Sequence, residues 1–188
     1  MKRLRLIRRT ILFSLTGFIV LAAGISPAIV TRMQVTSNSM SPTINTGDHV
    51  FVDTLNARLP FVFPALHGIK RGDLIVFVDP HGAHGSESSR DFVVKRVVGL
   101  PGDRLHIAEG MLIVNGKPIY EPYLKAKDNV SMSFSSWPLS AGTTPRDVLI
   151  PPDSVFVLGD NRDVSLDSRI YGPLASENIV GKVIWLSS

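Results

Sequence analysis

Three short clusters hold most of the side chains that could do chemistry in this sequence. The first runs from Ser37 to Thr43 and contains three serines. The second runs from Lys95 to Asp103, and the third runs from Gly159 to Arg169 and mixes acids, arginines and serines. Each cluster begins or ends at a predicted strand boundary, where functional residues are commonly carried. We therefore take these clusters as the first candidates for a site.

A serine nucleophile needs a base, and Lys95 is the candidate in this chain. It follows Phe92, Val93 and Val94 in an apolar run, where loss of water would favour the neutral amine. A neutral amine can accept a serine proton, which is the Ser–Lys form of nucleophilic catalysis. None of the five histidines has a recognisable catalytic context. The alternative is that Lys95 is a charge on an edge strand.

Several other kinds of site are disfavoured. The chain has no cysteine, which excludes disulfides, Cys-ligated metals and thiol nucleophiles. His81 and His84 lie in a Gly-rich loop with few other ligands, so we predict no metal site and no cofactor. Gly110 to Lys117 has the wrong spacing for a phosphate loop, and Asp160 to Asp163 breaks the pattern of a calcium loop.

Basic residues are concentrated at the N-terminus. Five of the 20 Lys and Arg residues lie in the first ten positions, and the remaining 178 residues carry 15 basic against 16 acidic side chains. The formal net charge of +4 therefore comes from this arm. A nucleic-acid-binding face on the body is not expected.

A hydrophobic segment follows the basic arm of residues 1–9. The 22 residues 10–31 carry no charge, and about 20 apolar residues suffice for a helix to span a bilayer. The basic flank predicts a single-pass anchor in the inner or plasma membrane, in contact with lipid, with the N-terminus cytoplasmic and residues 32–188 outside. The alternative is a signal peptide cleaved after Ala28. In both cases the body is exported.

The body is predicted to be mainly β, because its apolar runs are short, β-branched and bounded by Gly, Pro, Asn and Asp. Asn115 and Gly116 predict a hairpin turn between two such runs. Residues 81–90 and 125–146 are predicted to be loops. The predicted strands are 49–53, 73–78, 92–98, 104–108, 111–114, 154–158 and 179–186.

Together and in this order, the clusters resemble those of the type I signal peptidases, membrane-anchored serine proteases that remove signal peptides. The resemblance covers about the whole chain, from the hydrophobic segment through the three clusters to Tyr171 and Gly172. It implies a signal-peptidase-like β fold of antiparallel sheets, preceded by one N-terminal transmembrane helix. It also implies preprotein signal peptides as the substrate.

The resemblance implies a role for each matching residue. Ser39 is expected to be the nucleophile and Lys95 the general base. The Ser39 backbone N–H and the Ser37 hydroxyl are expected to hold the oxyanion. Ser165 matches the serine that orients the lysine amine. Gly159 matches a position where the backbone approaches the lysine closely. Four charges are expected to brace the site as two pairs, Asp160 with Arg96 and Asp167 with Arg169.

The substrate is expected to bind as an added β-strand between the segment ending at Ser37 and the segment leading to Lys95. In the family, the pockets for the residues one and three before the cut admit only small groups such as alanine. The positions that match these pockets are Met33, Val35, Met40 and Val94. Core packing is the alternative explanation for these apolar residues. Asn38 departs from the family, which often has glycine there.

Three other functions remain open at this stage. Only 55 residues separate Asp103 from Gly159, and this compactness favours a specialised enzyme, such as one that matures the pilin of a conjugative element. Self-cleaving repressors and mutagenesis proteins use Ser–Lys chemistry on a related fold. Because they are cytoplasmic, the hydrophobic segment argues against assigning this chain to them. An exported, non-enzymatic β-rich binding module would leave Lys95 unexplained.

Overall fold

The structure is a computed structural model that describes residues 30–55, 68–79, 92–124 and 147–188. The basic arm, the predicted anchor up to residue 29 and the two predicted loops lie outside these ranges. Within them, no helix is long and apolar enough to cross a membrane.

The described residues form two antiparallel β-sheets, as predicted for the fold class. The larger sheet contains β1 (Val30–Gln34), β2 (His49–Asp53), β3 (Leu74–Val78), β4 (Phe92–Gly99), β9 (Ser154–Leu158), β10 (Leu174–Ala175) and β11 (Ile179–Ser187). Its strand order is β1-β2-β11-β3-β4-β9-β10. The smaller sheet contains β5 (Arg104–Ala108), β6 (Met111–Val114), β7 (Lys117–Pro118) and β8 (Val148–Leu149), in the order β7-β6-β5-β8. A short helix, α1 (Ser168–Tyr171), follows β9.

All seven predicted strands are present, and none of their bounds differs from the prediction by more than one residue. The predicted end of the anchor at residue 31 is wrong, because Val30 and Thr31 already belong to β1 and pair with Asp53 and Val52. The reason is that an apolar, uncharged run looks the same in the sequence whether it continues as a helix or enters a sheet.

The core beneath the first cluster fixes the turn between β1 and β2. Met40 and Ile44 are almost completely buried, against Val50 and Val76. Full burial of one such side chain contributes roughly 1.5–3 kcal/mol. The neighbouring Val35 joins the turn to the start of β2, because its N–H donates to the carbonyl of Asp48 at 2.8 Å. These contacts fix the two ends of the turn, Val35 and Ile44, and the buried Met40 within it.

β1 and the first half of β4 are each paired on one side only among the described residues. β1 is an edge strand that pairs with β2. β4 pairs with β3 from Phe92 to Arg96, whereas its pairing with β9 covers only Arg96 to Gly99. The first half of β4 therefore also presents a backbone edge, which is what an added peptide strand requires.

Candidate active site

Ser39 and Lys95 are far apart in the sequence but in contact in the structure. The Lys95 amine Nζ donates a hydrogen bond to Ser39 Oγ at 2.6 Å. Lys95 is 0 % exposed and Ser39 is 9 % exposed. The packed turn after β1 carries the serine and the middle of β4 carries the lysine, so both groups are held by core structure.

The environment of Lys95 favours the neutral amine. Burial lowers the pKa of Lys95 from 10.5 to about 8, and loss of hydration is the largest cause. The charge of Arg169 lowers the pKa further, whereas the carboxylates of Asp167, Asp160 and Asp79 raise it and so limit the fall. An amine with this pKa is partly neutral near pH 7 and can accept a proton from a serine hydroxyl in contact with it.

Ser37, the second residue predicted for the oxyanion hole, lies beside Ser39. The hydroxyl groups of Ser37 and Ser39 are 3.1 Å apart. Ser37 is exposed whereas Ser39 is buried. Ser37 therefore lies closer to solvent than Ser39.

The predicted pair of Arg96 and Asp160 is present as a bidentate ion pair. Arg96 Nε donates to Asp160 Oδ1 at 2.8 Å, and Nη2 donates to Oδ2 at 2.6 Å. The Thr43 hydroxyl also donates to Oδ2, at 2.5 Å. Arg96 follows Lys95 directly, and Thr43 belongs to the turn that carries Ser39. This pair therefore joins all three sequence clusters at one buried carboxylate.

The predicted pair of Asp167 and Arg169 is also present. Arg169 donates to both Asp167 oxygens, at 2.8 and 2.9 Å. Asp167 caps the N-terminus of α1 by accepting from the Arg169 backbone N–H. Its Oδ2 also accepts from the Gly159 N–H at 3.0 Å. The pair thereby fixes the backbone where β9 ends beside the site.

Gly159 lies at a point of close approach, as predicted, but its nearest neighbours belong to Ser165 and Ser39 rather than to Lys95. A Cβ at this position would be 2.2 Å from Ser165 Oγ and 2.5 Å from the Ser39 carbonyl oxygen. Real Cβ atoms essentially never approach other atoms below 3.0 Å. Any larger residue must therefore displace the backbone of Ser39.

The predicted hydrogen bond between Ser165 and the Lys95 amine is not formed. Ser165 is buried, and among the residues that the structure describes its Oγ has no hydrogen-bond partner. The lysine amine donates to Ser39 instead, while the Ser165 side chain packs against Gly159. The structure thus brings Ser165 into the site without the predicted contact.

Replacement of Gly159 by alanine is expected to reduce kcat/KM by at least about a hundredfold, because a shift of the Ser39 carbonyl moves the Ser39 hydroxyl relative to Lys95. Gly181→Ala is the matched control. A Cβ at Gly181 would be 2.1 Å from the Asp53 carbonyl oxygen, so it creates a similar clash away from the site. We expect Gly181→Ala to lower the melting temperature while the folded fraction stays active. An equal loss of activity per folded molecule in both variants would contradict the local role of Gly159.

A groove of about 470 Å³ lies beside Ser39. All four residues predicted to bind substrate line it, together with both serines of the predicted oxyanion hole. The lining residues are Met33, Gln34, Val35, Thr36, Ser37, Ser39, Met40, Val50, Val76, Phe92, Val93 and Val94. Its walls thus come from the β1 segment and from the first half of β4.

Both walls of the groove present free backbone groups. Val35 directs its N–H and its carbonyl toward Asp48 and Gly47, so alternation along the strand points those of Gln34 and Thr36 the other way. Val97 likewise bonds to the turn that precedes β3. The same alternation turns the backbone groups of Val94 away from β3. The groove can therefore bind an extended peptide through its main chain.

Sequence reasoning missed a layer of contacts behind the site. Arg162 Nε donates to the Gly159 carbonyl at 3.0 Å, and its Nη2 pairs with Glu121 at 2.6 Å. The Tyr123 hydroxyl donates to the same Glu121 carboxylate at 2.5 Å. The Tyr123 ring lies 3.9 Å from the Arg96 guanidinium. The only sequence signal was that an arginine, if buried, needs an acidic partner, and nothing identified which acid.

A buried serine and lysine in contact, beside a groove with free strand edges, form the arrangement of a serine peptidase that takes an extended substrate. A family model described as signal peptidase, peptidase S26, matches residues 7–187. The chain therefore belongs to the signal peptidase family. It is a type I signal peptidase, which is a serine endopeptidase. This membership excludes the non-enzymatic binding module.

Two relatives give the same result. Signal peptidase IB of Staphylococcus aureus is 35% identical over 161 residues, which cover 82% of this chain and 76% of that protein. The probable signal peptidase I-2 of Synechocystis is 30% identical over 164 residues, which cover 87% of this chain and 66% of that protein. A crystal structure of a signal peptidase I from Enterococcus faecalis is 30% identical in sequence and superposes with a TM-score of 0.45. The match covers 61% of this chain and 96% of the chain in that crystal structure.

Proposed function

We propose that this protein removes N-terminal signal peptides from exported preproteins by cutting after small residues, with Ser39 as the nucleophile and Lys95 as the general base. The observation that carries the proposal is the 2.6 Å contact between Ser39 Oγ and the buried Lys95 amine. Burial of this amine lowers its pKa to about 8, and the pair opens onto a groove with free strand edges.

The reaction follows from the positions of the hydroxyl and the amine. Neutral Lys95 accepts the proton of Ser39 Oγ as the oxygen attacks the scissile carbonyl carbon. The carbonyl electron pair moves to its oxygen, and the Ser39 N–H and the Ser37 hydroxyl stabilise the resulting oxyanion. The protonated lysine then donates to the leaving amine as the C–N bond breaks. Lys95 next deprotonates a water molecule whose oxygen attacks the acyl carbon, and it returns this proton to Ser39 Oγ as the ester bond breaks.

The proposed substrate binds as a strand between β1 and β4. Gln34, Thr36 and Val94 offer backbone groups to it, and such contacts are independent of the signal peptide sequence. Met33, Val35, Met40 and Val94 then limit the volume available next to the nucleophile. Small residues one and three before the cut fit this groove best.

A preprotein that ends its signal peptide in Ala-x-Ala is expected to be cut after the last alanine, as shown by the mass of the mature product. Replacement of that alanine by phenylalanine is expected to lower kcat/KM by at least about a hundredfold, because the pocket excludes its volume sterically. The matched control substrate carries phenylalanine at the middle position of the same motif. Equal kcat/KM for the alanine and phenylalanine substrates would contradict the assigned pocket.

We further propose that the apolar segment before β1 is retained in the mature protein and anchors the enzyme in the membrane. The peptidase domain then lies on the extracytoplasmic side. The support is the uncharged run of residues 10–29 after a strongly basic flank. The protein is expected to stay in the membrane fraction after carbonate extraction. A mature N-terminus at Ile29, found by mass spectrometry, would show instead that the segment is cleaved.

A further inference from the structure

We propose that Asn161 is a positioning residue that aims the oxyanion-hole N–H of Ser39, an inference that rests on the proposed function. Asn161 holds two successive carbonyl groups of the turn that carries Ser39 (residues 35–44, the nucleophile turn). Its side-chain Nδ2 donates to the Asn38 carbonyl at 3.2 Å. Its backbone N–H donates to the Ser39 carbonyl at 3.0 Å. One residue therefore fixes the peptide groups on both sides of the nucleophile.

The first of these peptide groups is the one that matters for the oxyanion. The Asn38 carbonyl and the Ser39 N–H belong to the same planar, trans peptide unit. In such a unit the two groups point in opposite directions, so a donor that fixes the carbonyl also fixes the direction of the N–H. By holding the Asn38 carbonyl, the Asn161 amide thus sets the direction in which Ser39 offers its donor.

Asn161 is itself well placed to act as a fixed point. Its carbonyl accepts from the Ser165 N–H at 3.1 Å, which closes the turn after β9. The residue before it, Asp160, is tied to Arg96 by two hydrogen bonds. The residue after it, Arg162, is tied to Glu121. A segment held at both neighbours can transmit a defined position to the amide between them.

The nucleophile turn needs this support more than its core contacts suggest. Ser39 and Met40 are buried, but Asn38 is exposed, so packing does not restrain the peptide plane before Ser39 to the same degree. A second donor, the Ser41 N–H, reaches the Asn38 carbonyl at 3.1 Å from within the turn. The Asn161 amide adds a restraint from a different part of the chain.

An oxyanion donor is used mainly when negative charge develops, so its misalignment should reduce kcat and leave KM nearly unchanged. Asn161→Ala removes the Nδ2 donor and keeps the backbone bond to Ser39. Loss of a whole oxyanion donor costs about 10²–10³ in rate, and a misaligned donor retains part of this contribution. We expect Asn161→Ala to lower kcat about tenfold.

The effect of Asn161→Ala on binding is tested with two ligands. A peptide aldehyde reacts with Ser39, whose Oγ adds to the aldehyde carbon while its proton passes to Lys95, and the aldehyde oxygen then occupies the oxyanion position. We expect this inhibitor to lose affinity by about the same factor as kcat. The second ligand is a signal-peptide fragment that lacks the residue directly before the cut, so its terminal carboxylate does not reach the oxyanion position. This fragment is expected to keep its affinity. The pH profile is expected to keep its rising limb at the same pH, because Lys95 is untouched.

Thr46→Val is the matched control. The exposed Thr46 hydroxyl donates to the Asn38 side chain at 2.7 Å, so this variant removes one hydrogen bond from the same turn without touching the peptide plane. We expect wild-type kcat for Thr46→Val and unchanged melting temperatures for both variants. Equal loss of kcat in both variants, or a rise in KM alone for Asn161→Ala, would overturn the role of Asn161.

The role of Asn161 can be disproved while the proposed function remains valid. Wild-type kcat and aldehyde affinity in Asn161→Ala, with Ser39→Ala inactive, would overturn the role of Asn161 and leave the Ser39 mechanism standing. Full cleavage by Ser39→Ala would overturn both.

Discussion

A Ser39→Ala protein is expected to fold normally and to cleave preproteins at least about a thousandfold more slowly than the wild type. The substitution removes the only atom that can form the acyl bond in the proposed mechanism. It removes little else, because the Ser39 hydroxyl contacts the Lys95 amine and the Ser37 hydroxyl and adds no apolar packing. Cleavage of an Ala-x-Ala preprotein by the purified variant, together with its melting temperature, measures both expectations.

Ser41→Ala is the matched control for this experiment. Ser41 lies two residues further along the same turn, and its hydroxyl donates to the Asn45 side chain at 3.0 Å, away from Lys95. We expect Ser41→Ala to cleave at the wild-type rate. The assignment of the nucleophile would be wrong if Ser41→Ala lost activity and Ser39→Ala kept it.

The fold was largely predictable because most strands are short β-branched runs between turn residues. Strands such as β5 and β6 are local features, and Asn115 with Gly116 sets the turn after β6, where both residues adopt positive φ. β1 was missed for a physical reason. Its first residues extend an apolar run, and only their pairing with Val52 and Asp53 distinguishes a strand from the end of a helix.

The proximity of Ser39 and Lys95 in the candidate site was predictable, but the contacts that hold these two side chains were only partly so. Lys95 among valines indicated a buried amine because burial of a strand can be inferred from the sequence alone. The support of Arg162 by Glu121 depends instead on how separate segments pack, which no local pattern records. The hydrogen bond expected between Ser165 and Lys95 is absent for the same reason, since a contact inferred from a family carries no side-chain direction.

Lys95→Arg is expected to be inactive at every pH, whereas the wild-type kcat/KM is expected to rise with pH. Burial lowers the pKa of Lys95 from 10.5 to about 8. Below pH 8 most of the enzyme carries a protonated amine, which cannot accept the serine proton, and kcat/KM should fall about tenfold per pH unit. Above that value the amine is neutral and the rate should level off. An arginine guanidinium stays charged throughout this range.

The control variant for the pH profile is His106→Gln. His106 Nδ1 lies 2.7 Å from Asp147 Oδ1 in a partly exposed hydrogen-bond contact. Among the described residues, the side chains in hydrogen-bond contact with Ser39 are those of Lys95 and Ser37. We therefore expect His106→Gln to keep both the rate and the position of the rising limb.

A histidine base would give a different pattern, because the ordinary pKa of histidine is about 6.5. The rising limb would then lie more than one pH unit below the position expected for Lys95, and it would disappear when the responsible histidine is replaced. Two results would overturn the assignment of Lys95. The first is an active Lys95→Arg enzyme. The second is loss of the limb on replacement of one of the five histidines, His49, His67, His81, His84 or His106. The measured midpoint of the limb thus distinguishes a desolvated lysine from a histidine before any variant is made.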